Sequence, residues 1–245
     1  MAAVTLLSTK GLSRHFGGLK AVNQVDFDIR AGEIRALIGP NGAGKTTFVS
    51  LLSGRIEPTE GRITFEGADI TGDPAHKRVR EGIAYTFQIT SVYPNLSAYE
   101  NVALAAQSAQ RRGGKDKGAS ALHAKTMTAL SRVGLEDRAD EKAGTMAYGH
   151  QRLLEVAMGL ALEPKLLILD EPTQGLSDGE IDNFCALVKD IARSATVLLI
   201  EHNMPVVMEL ADTITVLDHG EILASGSPAE IRANPAVQAA YLGAA

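Results

Sequence analysis

The sequence carries a single cysteine, Cys185, among 245 residues. No internal disulfide can form, as expected in a reducing compartment, and the expected role of Cys185 is a small buried apolar side chain. Basic excess is also missing: 24 Lys and Arg stand against 29 Asp and Glu, a net charge of -5. That balance argues against a nucleic-acid binder. No uncharged apolar run reaches the roughly 18 residues that cross a bilayer, so any membrane association is expected through a partner. Met1 to Thr5 lack the basic start and apolar core of a signal peptide. Low-complexity tracts are absent as well. With 45% hydrophobic and 22% charged residues, the chain suits one large or two small domains with a substantial core.

What is present centres on Gly39, Pro40, Asn41, Gly42, Ala43, Gly44, Lys45, Thr46 and Thr47. This is the pattern of a phosphate-binding loop. Glycines let the backbone close round a phosphate and aim its N–H groups inward. Lys45 can reach β- and γ-phosphates, and the Thr46 hydroxyl is placed to ligate Mg²⁺. Ile34 to Ile38 read as a buried strand leading in. Phe48, Val49, Leu51 and Leu52 read as an apolar helix face leading out, stopped at Gly54. The positive end of that helix dipole then points at the phosphates.

Other strands deliver polar groups. Lys165 to Glu171 form an apolar run ending in two carboxylates, and such runs suit central parallel strands. Ligands sit beyond the carboxyl ends of such strands. Asp170 fits the Mg²⁺ water shell, and Glu171 fits a general base for an attacking water. Thr196 to Ile200 read as a second buried strand, ended by Glu201 and His202; His202 can bond a γ-phosphate or the water. Glu81 to Gln88 read as a strand ending in an amide, where Gln88 is either a Mg²⁺ or water ligand or a surface residue. Phe16 is either an adenine-stacking ring or ordinary core.

Val25, Phe27 and Ile29 alternate with charged residues, a half-buried strand, and Arg62 to Phe65 form another. An antiparallel arm therefore joins the strand–loop–helix unit. From Ser97 to Val133 the chain turns alanine-rich and helical, over Tyr99 to Gln110 and Ser120 to Val133. Arg111 to Gly118 is a basic, glycine-rich loop, either solvated or touching lipid headgroups. Gly149 opens an apolar helical pattern, either as a second anion site or as a plain loop. Thr213 to Leu217 and Glu221 to Leu223 form a hairpin, and Ser227 starts a capped helix. His15, His76, His123 and His219 show no metal spacing.

The ordered set resembles the nucleotide-binding subunit of an ABC transporter, over essentially the whole chain. In that family's terms Phe16 matches the A-loop, Gly39 to Thr47 Walker A, and Gln88 the Q-loop. Ala147, Tyr148, Gly149, His150 and Gln151 match the signature, Leu166 to Asp170 Walker B, and Glu171 the catalytic carboxylate. Gln174 to Asp178 match the D-loop and His202 the switch histidine. Within the family the chain most resembles subunits of branched-chain amino acid importers, through His15 to Asn23, Met146 to Arg152, Leu199 to Met204 and Ile231 to Gly243. Importers of urea or short amides share these features.

The resemblance implies a P-loop NTPase core of the RecA-like α/β class (residues 1-88 and 152-245) with an antiparallel β arm and a helical subdomain (about 89-151). It implies ATP and Mg²⁺ as cofactors, with Gln88 catalytic or metal-binding. It implies two subunits, the same or homologous, that sandwich ATP between Walker A of one and the signature of the other. Two transmembrane permease subunits, and indirectly a substrate-binding protein, complete the system at the cytoplasmic membrane face. A docking groove for the permeases is expected at Ile89, Val92, Tyr93 and Leu96. Three departures stand out: Ala147 replaces a signature Ser, His150 a Gln or Gly, and Ser177 a D-loop Asp. Alternatives are a GTPase or P-loop kinase, which the missing Asn-Lys-x-Asp segment opposes; a soluble two-cassette clamp, which one cassette opposes; and a lipid or polysaccharide exporter with the same chemistry.

Overall fold

The computed structural model describes residues 4–86, 91–113 and 118–242. In chain order its strands are β1 (Thr5–Phe16), β2 (Leu19–Arg30), β3 (Ile34–Ile38), β4 (Glu60–Phe65), β5 (Ala68–Asp69), β6 (Ile83–Tyr85), β7 (Leu166–Asp170), β8 (Thr196–Ile200), β9 (Thr213–Asp218) and β10 (Glu221–Gly226). The helices are α1 (Lys45–Leu52), α2 (Ala75–Glu81), α3 (Ala98–Gly113), α4 (Ala119–Arg132), α5 (Tyr148–Ala161), α6 (Asp178–Ala192), α7 (Met204–Leu210), α8 (Pro228–Ala233) and α9 (Pro235–Leu242).

Two sheets result. The antiparallel arm has the order β2-β1-β4-β5, and the larger sheet the order β10-β9-β3-β8-β7-β6. In the larger sheet β6, β7, β8, β3 and β9 run parallel, and only β10 is antiparallel. Every residue of β3, β7 and β8 is buried. Continuous apolar runs are what a strand covered on both faces requires. Their register is what places the site. Asp170 pairs with Ile200, and Leu37 pairs with the same Ile200. The segments after these strands therefore leave the sheet at one edge.

The two sheets sandwich α1. Phe48, Val49, Leu51 and Leu52 are fully buried and pack with Leu7, Phe27, Leu37 and Leu198. Phe48 meets Phe27 edge-on, with ring centroids 5.3 Å apart. Burying such a ring is worth about 2–3 kcal/mol. On the opposite face α3, α4, α5 and α6 close a second cluster around Leu154, Leu167, Phe184 and Leu199. Cys185 lies in this cluster, where burial pushes its thiol up to about 11, as the apolar role requires. No helix among the described residues is long and apolar enough to cross a membrane.

Two elements differ from the sequence expectation. Of the strand expected over Glu81 to Gln88, the described residues form Ile83–Tyr85, and residues 87–88 lie outside them. Glu81 instead ends α2, whose last turn closes by the Gly82 amide bonding back to Arg78 O at 3.1 Å. Arg111 to Gly113, expected in a loop, belong to α3; Gly114 to Lys117 lie outside the described residues. So do Gln88 and Ile89. Helix α5 spans the subdomain limit expected at residue 151.

Arg78 is the buried charge that the charge pattern hides. It is 1% exposed, and its guanidinium donates to the carbonyls of Leu51 (2.5 Å), Leu52 (2.9 Å), Thr71 (3.0 Å) and Asp73 (2.9 Å). Leu51 and Leu52 are the last residues of α1. Their carbonyls carry the negative end of the helix dipole, and the guanidinium satisfies them. The opposite end of α1 stays open.

Candidate nucleotide site at the edge of the parallel sheet

Helix α1 begins after Gly44, which has φ 98 and no side-chain cap. A Cβ on Gly44 would lie 2.2 Å from the carbonyl oxygen of Ala21. The loop thus needs glycine there on two counts, its left-handed backbone and its contact with the β1–β2 hairpin. The uncapped N–H groups of the first turn are free to hold an anion. Lys45 folds back over this loop, its Nζ donating to Gly39 O (2.6 Å) and Pro40 O (3.0 Å). Burial lowers the Lys45 pKa, and the nearby charges of Glu171 and Asp170 pull it back up. Thr46 is exposed and Thr47 half-buried at the helix start.

Asp170 ends β7 with 3% exposure. Burial raises its pKa, the hydrogen bond from Tyr85 lowers it, and neighbouring Glu171 raises it. Tyr85 at the end of β6 donates its hydroxyl to Asp170 Oδ2 at 2.6 Å. Glu171 has φ 48, an uncommon conformation for a residue with a side chain. Its Oε1 lies 3.9 Å from Nδ1 of His202, which is exposed. Base candidate and histidine therefore share one opening.

Glu201, adjacent to His202 in sequence, has a different task from its neighbour. It is 1% exposed. Its Oε1 accepts from the Thr173 amide at 3.0 Å and from the Thr173 hydroxyl. Its Oε2 accepts from the amides of His202 (2.9 Å) and Asn203 (3.0 Å). One carboxylate thus ties the loop after Glu171 to the loop carrying His202. The sequence shows Glu201 only as a polar group at a strand end; its pairing with a residue 28 positions earlier is a tertiary fact.

Phe16 ends β1 with 46% exposure, and the Arg14 guanidinium lies 4.7 Å from its ring centroid. That exposure removes the ordinary-core alternative. The stretch from Ala147 to Gln151 sits elsewhere, at the start of α5. Ala147 occupies its N-cap position, and no side chain caps it. Gly149 is buried, and a Cβ there would lie 2.3 Å from Glu180 Oε1. Glu180 in turn accepts from the Ser177 amide (2.8 Å), closing a capping box at the start of α6. Ser177, the departure from the family's Asp, is thus the helix cap. Tyr148 is 44% exposed, and its ring sits 3.0 Å from the Cβ position of Gly175. Gln151 bends back to Met146 O at 3.0 Å. Arg152 donates to the Tyr148 hydroxyl (3.0 Å) and to Glu155 (3.1 Å), and Glu155 accepts from the Ser91 amide (2.5 Å). Helix α5 is thereby bonded to Ser91, just after residues 87–90.

An uncapped loop-to-helix turn, a lysine, and acidic and histidine side chains at the ends of parallel strands define a P-loop nucleotide-binding cassette. The family model described as ABC transporter matches residues 22–174. A second, described as branched-chain amino acid ATP-binding cassette transporter, matches residues 221–245. The chain is 40% identical over 256 residues to BraF, the high-affinity branched-chain amino acid transport ATP-binding protein of Pseudomonas aeruginosa, covering 98% of each. It is also 40% identical over 253 residues to LivG, the corresponding protein of Escherichia coli K12, again covering 98% of each. Among solved structures, an ATP-binding cassette of an ABC transporter in its ADP conformation superposes with a TM-score of 0.87 at 27% identity, covering 98% of this chain and 99% of that one. A nucleotide-free cassette gives the same TM-score, covering 97% and 99%. The chain belongs to the ATP-binding cassette family, the ATPase subunits of ABC transporters.

Proposed function

We propose that the chain binds and hydrolyses ATP with Mg²⁺ to drive an importer of branched-chain amino acids. The observation that carries the chemistry is the convergence of Lys45, Asp170, Glu171 and His202 beside the open start of α1. The near-full-length likeness to BraF and LivG, with the matched segment at residues 221–245, supports the substrate class.

The residues present fit Mg²⁺. Among the described residues no three His, Cys, Asp or Glu side chains gather as a metal cage. Mg²⁺ is usually held by one or two protein groups together with phosphates and waters. The Thr46 hydroxyl and the Asp170 carboxylate are such hard donors. When bound there, the ion would neutralise charge on the phosphates. The loop amides and Lys45 hold the phosphates, with Lys45 leaving the carbonyls of Gly39 and Pro40 to do so. Asn41, Gly42 and Ala43 complete the loop, and Phe16 offers its exposed ring to the adenine. Glu171 takes the proton of the attacking water, and His202 orients that water or the γ-phosphate. Gln88 has the metal or water role that the resemblance gives it.

The residues around Gly149 serve a second subunit, of the same or a homologous chain, across a shared ATP. Residues 1-88 and 152-245 then form the catalytic core and about 89-151 the helical subdomain. Two permease subunits dock at Tyr93, which is 56% exposed, while Val92 packs against the core beneath it. A substrate-binding protein delivers the amino acid from the other side, and the chain sits peripherally on the cytoplasmic face.

Lys45→Ala should weaken a fluorescent ATP analogue about 10–100-fold by titration, because it removes charge-assisted hydrogen bonds to phosphate. Vesicles carrying this chain with its permeases should take up labelled leucine on ATP addition. ATP-driven uptake of urea or an amide with no uptake of leucine, isoleucine or valine would overturn the substrate assignment and leave the ATPase assignment standing.

A further inference from the structure

We propose that Tyr85 is a positioning residue for the metal site, its phenol fixing the rotation of the Asp170 carboxylate so that the remaining oxygen lone pairs meet the water shell of Mg²⁺. This rests on the Asp170 role proposed above. Tyr85 is the last residue of β6 and pairs with Ile168 of β7, two positions before Asp170. Its hydroxyl donates to Asp170 Oδ2 at 2.6 Å. The Arg55 guanidinium, just beyond α1, lies 5.6 Å from the Tyr85 ring centroid. An ionised carboxylate can only accept a hydrogen bond. The phenol therefore commits its one proton to Asp170.

A carboxylate turns easily about its last torsion. Asp170, 3% exposed, has a buried setting in which Tyr85 is the hydrogen-bond partner the structure gives it. A phenol is ordinarily protonated at neutral pH, so the hydroxyl serves as a donor to the carboxylate. Partners of this kind orient metal ligands, and their loss typically lowers metal affinity about 10–100-fold. The arrangement also ties the metal carboxylate to the strand that leads into residues 87–90. The competing explanation is a half-buried phenol that has merely found an acceptor.

Tyr85→Phe keeps the ring and removes the proton. The test titrates a fluorescent ATP analogue against Tyr85→Phe, Asp170→Asn and the parent chain, in EDTA and then across Mg²⁺ concentrations. Mn²⁺ bound with the nucleotide is read in parallel by electron paramagnetic resonance. Tyr85→Phe should leave affinity in EDTA unchanged and raise the Mg²⁺ concentration at half-effect about 10-fold. In the Asp170→Asn background the same substitution should add no further shift. An unchanged Mg²⁺ dependence in Tyr85→Phe beside a shifted one in Asp170→Asn overturns the positioning role alone. Equal weakening with and without metal also overturns it, because the phenol then acts on the fold. No shift in either variant overturns the Asp170 metal role, and the positioning role with it.

Discussion

Helices α1 and α5 both begin without a side-chain cap, at Gly44 and Ala147, yet their surroundings differ. The start of α1 lies where β3, β7 and β8 end, so a lysine, two carboxylates and a histidine meet there. Its far end is closed by Arg78. The start of α5 meets no such set. Gly149 presses on Glu180, Gln151 bonds its own chain, and Tyr148 covers Gly175. Those contacts fix the shape of a surface, and the carboxylate among them, Glu180, is engaged in the capping box of α6. The proposed function gives the chemistry to one helix start and the contact with a second subunit to the other.

The largest expected effect removes chemistry from the first end and leaves the second intact. Glu171→Gln should lower ATP turnover about 10³-fold, read by phosphate release, while ATP affinity stays within a few-fold. Unchanged turnover would remove the base from the α1 end and erase the contrast. Arg78→Met tests whether the closed far end of α1 matters: losing four carbonyl acceptors' partner should lower unfolding stability by about 3 kcal/mol, read by urea titration. Arg78→Lys should not restore it, since an ammonium lacks the fork that reaches several carbonyls. Glu201→Gln offers one acceptor oxygen where two served four donors. It should cost about 2 kcal/mol of stability and lower kcat about 10-fold with KM little changed, because the loops of Glu171 and His202 lose their tie. The smallest effect sharpens the α5 end. Ala147→Ser supplies the missing N-cap acceptor and should raise stability by about 1 kcal/mol. A loss of stability would mean that the start of α5 has no free N–H groups for a side chain to cap.

The first helix start was legible because its chemistry is local. Glycine spacing, a lysine and a hydroxyl stand within nine residues, and buried strands before each acidic or histidine group announce themselves as apolar runs. What escaped depends on distance. Tyr85 and Asp170 are 85 residues apart. Arg78, flanked by Lys77 and Arg80, reads as a solvated helix face, and only the fold turns it inward. Glu201 looks like a companion of His202 until Thr173 is brought to it. Strand β1 has irregular register against β2, with several shifts, so its side chains lack the clean alternation that betrays β2. The Gly149 segment carried its meaning only through resemblance, because a glycine at a helix start is ordinary by itself. Its close approach to Glu180 is a contact between helices, invisible in either stretch.

Sedimentation of the Glu171→Gln chain, with and without ATP and Mg²⁺, tests the division between the two ends most directly. A chain of 25.9 kDa should double in mass when ATP and Mg²⁺ are present and return to a monomer when the nucleotide is removed. A chain that binds ATP at the α1 end yet stays at the mass of one copy would contradict the reading of α5 as the surface that completes a second subunit's site.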